Sequence, residues 1–130
     1  MLGYCTLGTN DIAASAAFYE PIAQILGHSR ISETERTVGW GTPGKGAMFC
    51  IIKPYDENEA TVGNGTMFGF EADSDEKVDQ IYNYALANGG SDEGAPGPRG
   101  EPDEQGNTFY AAYFRDREGN KLNAFCMVKD

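Results

Sequence analysis

The chain has a single histidine, His28. No Ser-His-Asp or Cys-His arrangement can therefore be built except around that one residue, which excludes the common nucleophilic triads. His28 also follows a helix stop, where an imidazole ordinarily interacts with the helix C-terminus rather than with a metal. Cysteine is scarce too: Cys5, Cys50 and Cys126 are odd in number, far apart, and each lies in an apolar, strand-like run. With no CxxC and no Cys/His cluster, they read as buried free thiols, not as zinc ligands or a redox pair. No apolar run approaches the roughly 20 residues needed to span a bilayer. The opening MLGYCTLGTND has no basic segment ahead of an apolar one, so no signal peptide is expected and the predicted location is cytoplasmic.

Positive charge is short as well. Ten basic residues face 20 acidic ones, for a net charge of −10. From Asp56 to Glu104 there are 13 acidic residues and 2 basic ones, so the excess sits in the middle of the chain. Such a field repels nucleic acid and anionic membranes, and it would favour a cationic ligand if it converged on a cleft. A charged run of this kind also serves simply as a solvated, solubilising face.

What the chain does contain is a pattern stated twice. Residues 3–9 form a strand candidate, and Asn10 or Asp11 can cap a helix. Ile12, Ala16, Tyr19, Ala23 and Leu26 then recur on one helical face, with Pro21 inside the span and Gly27 as a stop. Strand-like stretches follow near 28–33, 37–42 and 46–53; the last, GAMFCIIK, is apolar enough for burial on both faces. GTPGKG at 41–46 lacks the phosphate-loop spacing and reads as a hairpin turn. After the turn-rich segment 54–65 the pattern restarts. Residues 65–72 predict a strand, Asp73 or Ser74 a cap, and Val78, Ile81, Tyr82 and Ala85 a second amphipathic helix closed by Gly89-Gly90. The Gly- and Pro-rich stretch 91–107 predicts a loop. Residues 108–116 and 121–127 predict strands joined by the turn Asp116–Asn120. The caps Asp11 and Ser74 repeat at an offset of 63 residues. The expected fold is α+β: one domain over 1–130 of two tandem βαβββ modules, about 1–54 and about 65–130, whose curved sheets enclose a cleft.

Three segments carry a resemblance over nearly the whole chain. TLGTNDIAASAAFYEPIAQILG resembles the first strand and helix of the vicinal oxygen chelate superfamily, which includes glyoxalase I, bleomycin resistance proteins and extradiol dioxygenases. GNGTMFGFEADSDEKVDQIYNYALANGG is similar to the start of that superfamily's second half, and YAAYFRDREGNKLNAFC to its closing hairpin. The resemblance implies a divalent ion held by a histidine in the first strand, a histidine or equivalent opening the second half, and a glutamate in each half's last strand. Such an ion chelates vicinal oxygens and stabilises an enolate or activates dioxygen. Carried onto this chain, those positions fall at Tyr4 (with Thr6 on the same face), Met67, Asn123 and near Phe49. Thioether, neutral amide and phenyl groups are poor or impossible ligands for a hard cation. Glu71 could share the Met67 face, but one carboxylate makes no metal site. The expectation is no metal and no cofactor, and metal-dependent lyase or dioxygenase activity is disfavoured.

If the superfamily's inward parity holds, Tyr4, Thr6, Trp40, Phe49, Met67, Tyr113 and Asn123 line the cleft, an aromatic pocket with a few polar handles. Cys5, Leu7, Phe68 and Phe70 would then pack beneath the helices. Three functions follow: a metal-free binding module of the bleomycin-resistance type taking a small cationic or aromatic molecule; a glyoxalase-type lyase or dioxygenase with atypical ligands; or a partner-binding domain with a filled cavity. The resemblance and the exposed sheet edges also imply a homodimer.

Overall fold

A computed structural model describes residues 1–129. The chain divides into two compact units, with the boundary between Gly63 and Asn64, inside the turn-rich connection. In the first unit, strand β1 (Tyr4–Gly8) leads to helix α1 (Ile12–Ile25) and then to β2 (Ser29–Glu33), β3 (Thr37–Gly41) and β4 (Met48–Ile52). The second unit repeats this order with β5 (Phe68–Glu71), α2 (Asp75–Ala87), β6 (Ser91–Arg99), β7 (Asn107–Arg115) and β8 (Lys121–Lys129). The sheet orders are β1-β4-β3-β2 and β5-β8-β7-β6, the same topology twice. In each, the first strand runs parallel to the last and the remaining pairs are antiparallel.

The helix signals act as expected. Asp11 is the N-cap of α1 and accepts from the Ala14 amide at 3.0 Å; Ser74 caps α2 and accepts from the Lys77 amide at 3.3 Å. Gly27 ends the first helix at φ +83° and Gly89 the second at φ +101°, both in the region that favours glycine. Pro21 lies inside α1, which continues to Ile25. The buried face of α1 is wider than the sequence pattern, because Phe18 and Ile22 join Ala16, Tyr19 and Ala23. On α2 the buried residues are Val78, Ile81, Tyr82 and Ala85, as the periodicity predicts.

One expected loop is a strand. Residues 91–99 form β6, paired antiparallel with β7 through two irregularities, between Asp92 and Gly94 and between Gly94 and Gly97. Pro96 and Pro98 cannot donate to a ladder, yet β6 is an edge strand, the place where such residues are tolerated. The turn at 116–120 is built around the Asp116 carboxylate, which accepts from the amide of Asn120 at 2.9 Å and from its side chain at 2.9 Å. β4 is not enclosed throughout: Cys50 and Ile51 are buried, whereas Met48, Phe49 and Ile52 are half-buried.

Helix α2 is tied to its sheet by the Tyr110 hydroxyl, which donates to Asp79 at 2.6 Å. That bond, followed by desolvation, pushes the Tyr110 pKa up to about 12. Tyr82, donating to Asp92 at 2.8 Å, is raised for the same reasons. A pKa raised by folding contributes stability that is complete below the unfolded value, near pH 10, and is lost as pH climbs through the folded value. Stability should therefore fall between about pH 10 and pH 12, and the fall should be shallower in Tyr110→Phe. Urea midpoints measured across that range check this; parallel curves for the two proteins would contradict it.

Candidate functional site

Each sheet has one side covered by its helix, and the alternation of side chains decides which residues lie there. In the first unit the Tyr19 ring of α1 packs at a tilt against Phe49, 4.8 Å between ring centroids, and against Trp40, at 6.1 Å. The Trp40 indole N–H donates to Glu20 of the same helix at 2.5 Å, and Arg30 pairs with that carboxylate at 3.0 Å. Trp40 and Phe49 thus lie on the helix side, together with Leu7 and Ile51, and the expectation that they share a face with Tyr4 and Thr6 is corrected. The cause is register: Cys5 aligns with Phe49, while Tyr4 aligns with Met48 and Thr6 with Cys50. A strand with apolar residues on both sides offers no alternation, so a slip of one residue exchanges its faces unnoticed.

Tyr4 and Thr6 occupy the other side of this sheet and are exposed, Tyr4 at 65%. Met48 and Cys50 stand beside them, close enough to Gly39 that a side chain there would meet both sulfurs, at 3.0 and 2.9 Å. Burial raises the Cys50 thiol above its ordinary pKa, and Cys5 and Cys126 likewise, so all three remain protonated and are weak nucleophiles.

In the second unit the Tyr110–Asp79 bond marks the helix side, where Phe114, Leu122 and Ala124 are fully buried. Phe68 and Phe70 align with Leu122 and Ala124, so they lie on that side as expected, although both are half-buried. The opposite side carries Tyr113 and Asn123, register partners on β7 and β8. Phe109 and Phe125 stack there at 5.4 Å. Met67 precedes β5 and is 41% exposed. Of the seven residues expected to line one pocket, Tyr4 and Thr6 share one side of the first sheet, Trp40 and Phe49 lie on its helix side, Tyr113 and Asn123 share one side of the second sheet, and Met67 precedes β5.

Asn123 is the most enclosed polar member, 3% exposed. Its amide lies over Gly69, where an added Cβ would stand 2.5 Å from Asn123 Oδ1; glycine is what gives the carboxamide its room. No described residue forms a hydrogen bond with that carboxamide. Yet among the described residues no fully enclosed side-chain N or O atom lacks a partner, so the Asn123 amide keeps an opening through which it can be reached.

Beside it, Tyr113 carries two cations. The Arg99 guanidinium sits 5.5 Å from the ring centroid and the Lys121 ammonium 6.0 Å. Arg99 lies along β6 over Gly94 and Gly97; a Cβ at either would come within 3.3 Å of its guanidinium. One N–H of Arg99 donates to the Ala95 carbonyl at 2.6 Å, which fixes the side chain. Arg115, next along β7 on the same side, pairs with Glu93 at 2.6 Å, and this bond, aided by Lys121, holds the Glu93 carboxyl below its usual range. Sequence reasoning missed Arg99 and Lys121. Lys121 was within reach, since it shares a face with Asn123 two residues on. Arg99 was hidden by the reading of its strand as a loop.

The residues at the superfamily's metal positions do not fit a hard divalent cation. They offer a phenol, a thioether, a neutral amide and, near the fourth position, the phenyl ring of Phe49, which packs against helix α1. Among the described residues no group of three or more His, Cys, Asp or Glu is arranged to hold a metal. Also among them, no helix is long and apolar enough to cross a membrane.

Known proteins share this chain's fold and sequence pattern. Its fold matches a crystal structure of a glyoxalase/bleomycin resistance protein from Albidiferax ferrireducens T118 with a TM-score of 0.85 and 33% identity, covering 97% of this chain and 98% of that one. A glyoxalase/bleomycin resistance protein/dioxygenase family enzyme from Burkholderia phytofirmans PsJN matches at 0.70 and 23% identity, over 97% and 98%. A lactoylglutathione lyase from Agrobacterium tumefaciens matches at 0.63 and 20% identity, over 97% and 92%; the latter two show likeness of fold alone. Among curated proteins no sequence matches significantly. The sequence profile of the Glyoxalase/Bleomycin resistance protein/Dioxygenase superfamily matches residues 1–124, and with the doubled βαβββ topology this places the chain in that superfamily.

Proposed function

We propose that this protein is a metal-independent binding module that holds a small organic molecule against the side of its second sheet away from helix α2. The observation that carries the reading is the Asn123 carboxamide, almost wholly enclosed yet without a hydrogen-bond partner among the described residues. The amide keeps an opening that water can reach, so a ligand seated there has to match the hydrogen bonds of the water it replaces. An amide both donates and accepts, so it can orient a polar group whose apolar remainder rests on Phe125 and Phe109. The poor donors at the superfamily's metal positions weigh against a glyoxalase-type lyase or dioxygenase. The reading of a filled cavity would leave the amide's opening to water alone.

The test is a thermal-shift screen of small aromatic acids, amides and amines against the wild type and Asn123→Ala. A ligand present at about 100 times its Kd adds about 2.7 kcal/mol to stability, an easily measured rise in Tm. Hits should stabilise the wild type and lose most of that effect in Asn123→Ala. Equal stabilisation of both proteins would remove Asn123 from the site, and a screen without hits would favour the filled-cavity reading.

A further inference from the structure

Two cations of the second unit stand out against its acidic composition. Arg99 and Lys121 are half-buried, both lie over the Tyr113 ring, and neither forms an ion pair with any described residue. Partial burial of unpaired positive charge is unfavourable, and a ring quadrupole repays only part of that cost. The charges here are also prearranged. Gly94 and Gly97 clear the floor beneath the guanidinium, which donates to the Ala95 carbonyl at 2.6 Å and to the Pro98 carbonyl at 3.5 Å and keeps further N–H groups for a ligand. The nearby carboxylate, Glu93, feels the Lys121 charge but is bonded to Arg115. Glu71, on the same side of the sheet, aligns with Phe125, one strand further from β6. Asn123, register partner of Tyr113 and two residues along β8 from Lys121, adds an amide donor at the same place.

We propose that the ligand of this face carries an anionic oxygen group, a carboxylate or a phosphate, held by the cations Arg99 and Lys121 that flank the Tyr113 ring, beside Asn123. The inference rests on the binding reading above and names its ligand class. It departs from the cationic ligand that the net charge of −10 suggests. Much of the acidic excess lies elsewhere: Asp56, Glu57 and Glu59 in the connection between the units, Asp73, Asp75, Glu76 and Asp79 around the start of α2, and Glu101, Asp103 and Glu104 beyond β6. Both faces of Tyr113 need not be free for this role, since the ring serves as a platform for the cations.

The experiment is an amide-resolved NMR titration of the whole chain with four probes of similar size: benzoate, phenyl phosphate, neutral benzamide and cationic benzamidine. Benzoate or phenyl phosphate should shift the amides of Gly94, Gly97 and Lys121 saturably and bind at least about tenfold more tightly than benzamide, as expected for hydrogen bonds to charged groups. The tighter of the two names the group. Arg99→Gln and Lys121→Gln should each weaken that binding about tenfold, while Arg99→Lys, which keeps the charge, recovers part of it. Far-ultraviolet circular dichroism of each variant controls for folding. If benzamide or benzamidine binds as tightly as the anions, depends on Asn123 and ignores Arg99→Gln, the anionic assignment falls while the binding reading stands. If none of the four probes shifts these amides, both fall.

Discussion

Replacing Phe114 with alanine will lower the free energy of unfolding by about 3–5 kcal/mol, the cost of truncating an enclosed phenyl group. Phe114 is fully buried on the helix side of β7, with Leu122 as its register partner on β8, itself fully buried. Val78, Ile81 and Ala85 of α2 are also fully buried. The surroundings cannot close over the gap by small adjustments. Ala112 and Ala124, also fully enclosed, have no flexible side chain to swing into it. A cavity that stays open keeps the whole packing loss, so the upper half of the range is expected. Whole domains are stable by only about 5–15 kcal/mol, so this one change removes a large share. Urea unfolding with an unchanged m-value is the appropriate measurement. A loss below about 1 kcal/mol would mean that the second unit's core is far more plastic than its burial implies.

Gly90→Ala will be the most damaging of the glycine-to-alanine changes at the helix–strand junction. A Cβ at residue 90 would stand 2.6 Å from the Arg115 carbonyl oxygen and 2.8 Å from that of Ala85. Both obstacles are backbone atoms, so no rotamer change relieves the clash. The Gly90 amide also donates to Ala85 at 2.8 Å, which pins the residue where it is. Either α2 or the start of β6 must move, at about 1–3 kcal/mol or more. Gly44→Ala is the useful contrast. It lies in a left-handed turn at φ +76° with nothing within 4 Å, so it should cost only the conformational penalty of about 1–2 kcal/mol. Thermal unfolding of the two variants side by side decides the matter, and a smaller effect at Gly90 than at Gly44 would sink the steric argument.

Much of this architecture could be read from the residues. Helix periodicity, the caps Asp11 and Ser74, the stops Gly27 and Gly89 and the Asp116–Asn120 turn are local signals, and local signals survive folding unchanged. The doubled topology follows from their repetition. β6 was not legible because an edge strand interrupted by bulges tolerates glycine and proline, the residues that otherwise announce a loop. The face of Phe49 was not legible because β4 is apolar on both sides, and only its pairing with β1 settles which side meets α1. The cations around Tyr113 depend on both kinds of information. Lys121 needed a correct face, and Arg99 needed a strand that the composition concealed.

The strand order also dictates when each unit can assemble as a chain is synthesised. β1 and β5 are the first strands of their units, yet each pairs with the last, β4 or β8. Until that last strand emerges from the ribosome, the first has no partner, and β7 lacks one of its two neighbours. The second sheet therefore waits for residues 121–129, whereas the first can close once residue 52 is free. Nascent β5 and α2 remain exposed to chaperones over roughly fifty residues of translation, several seconds at about 5–20 residues per second. Pairings of such long sequence separation also slow folding itself, which makes the closing of each sheet by its final strand the natural slow step.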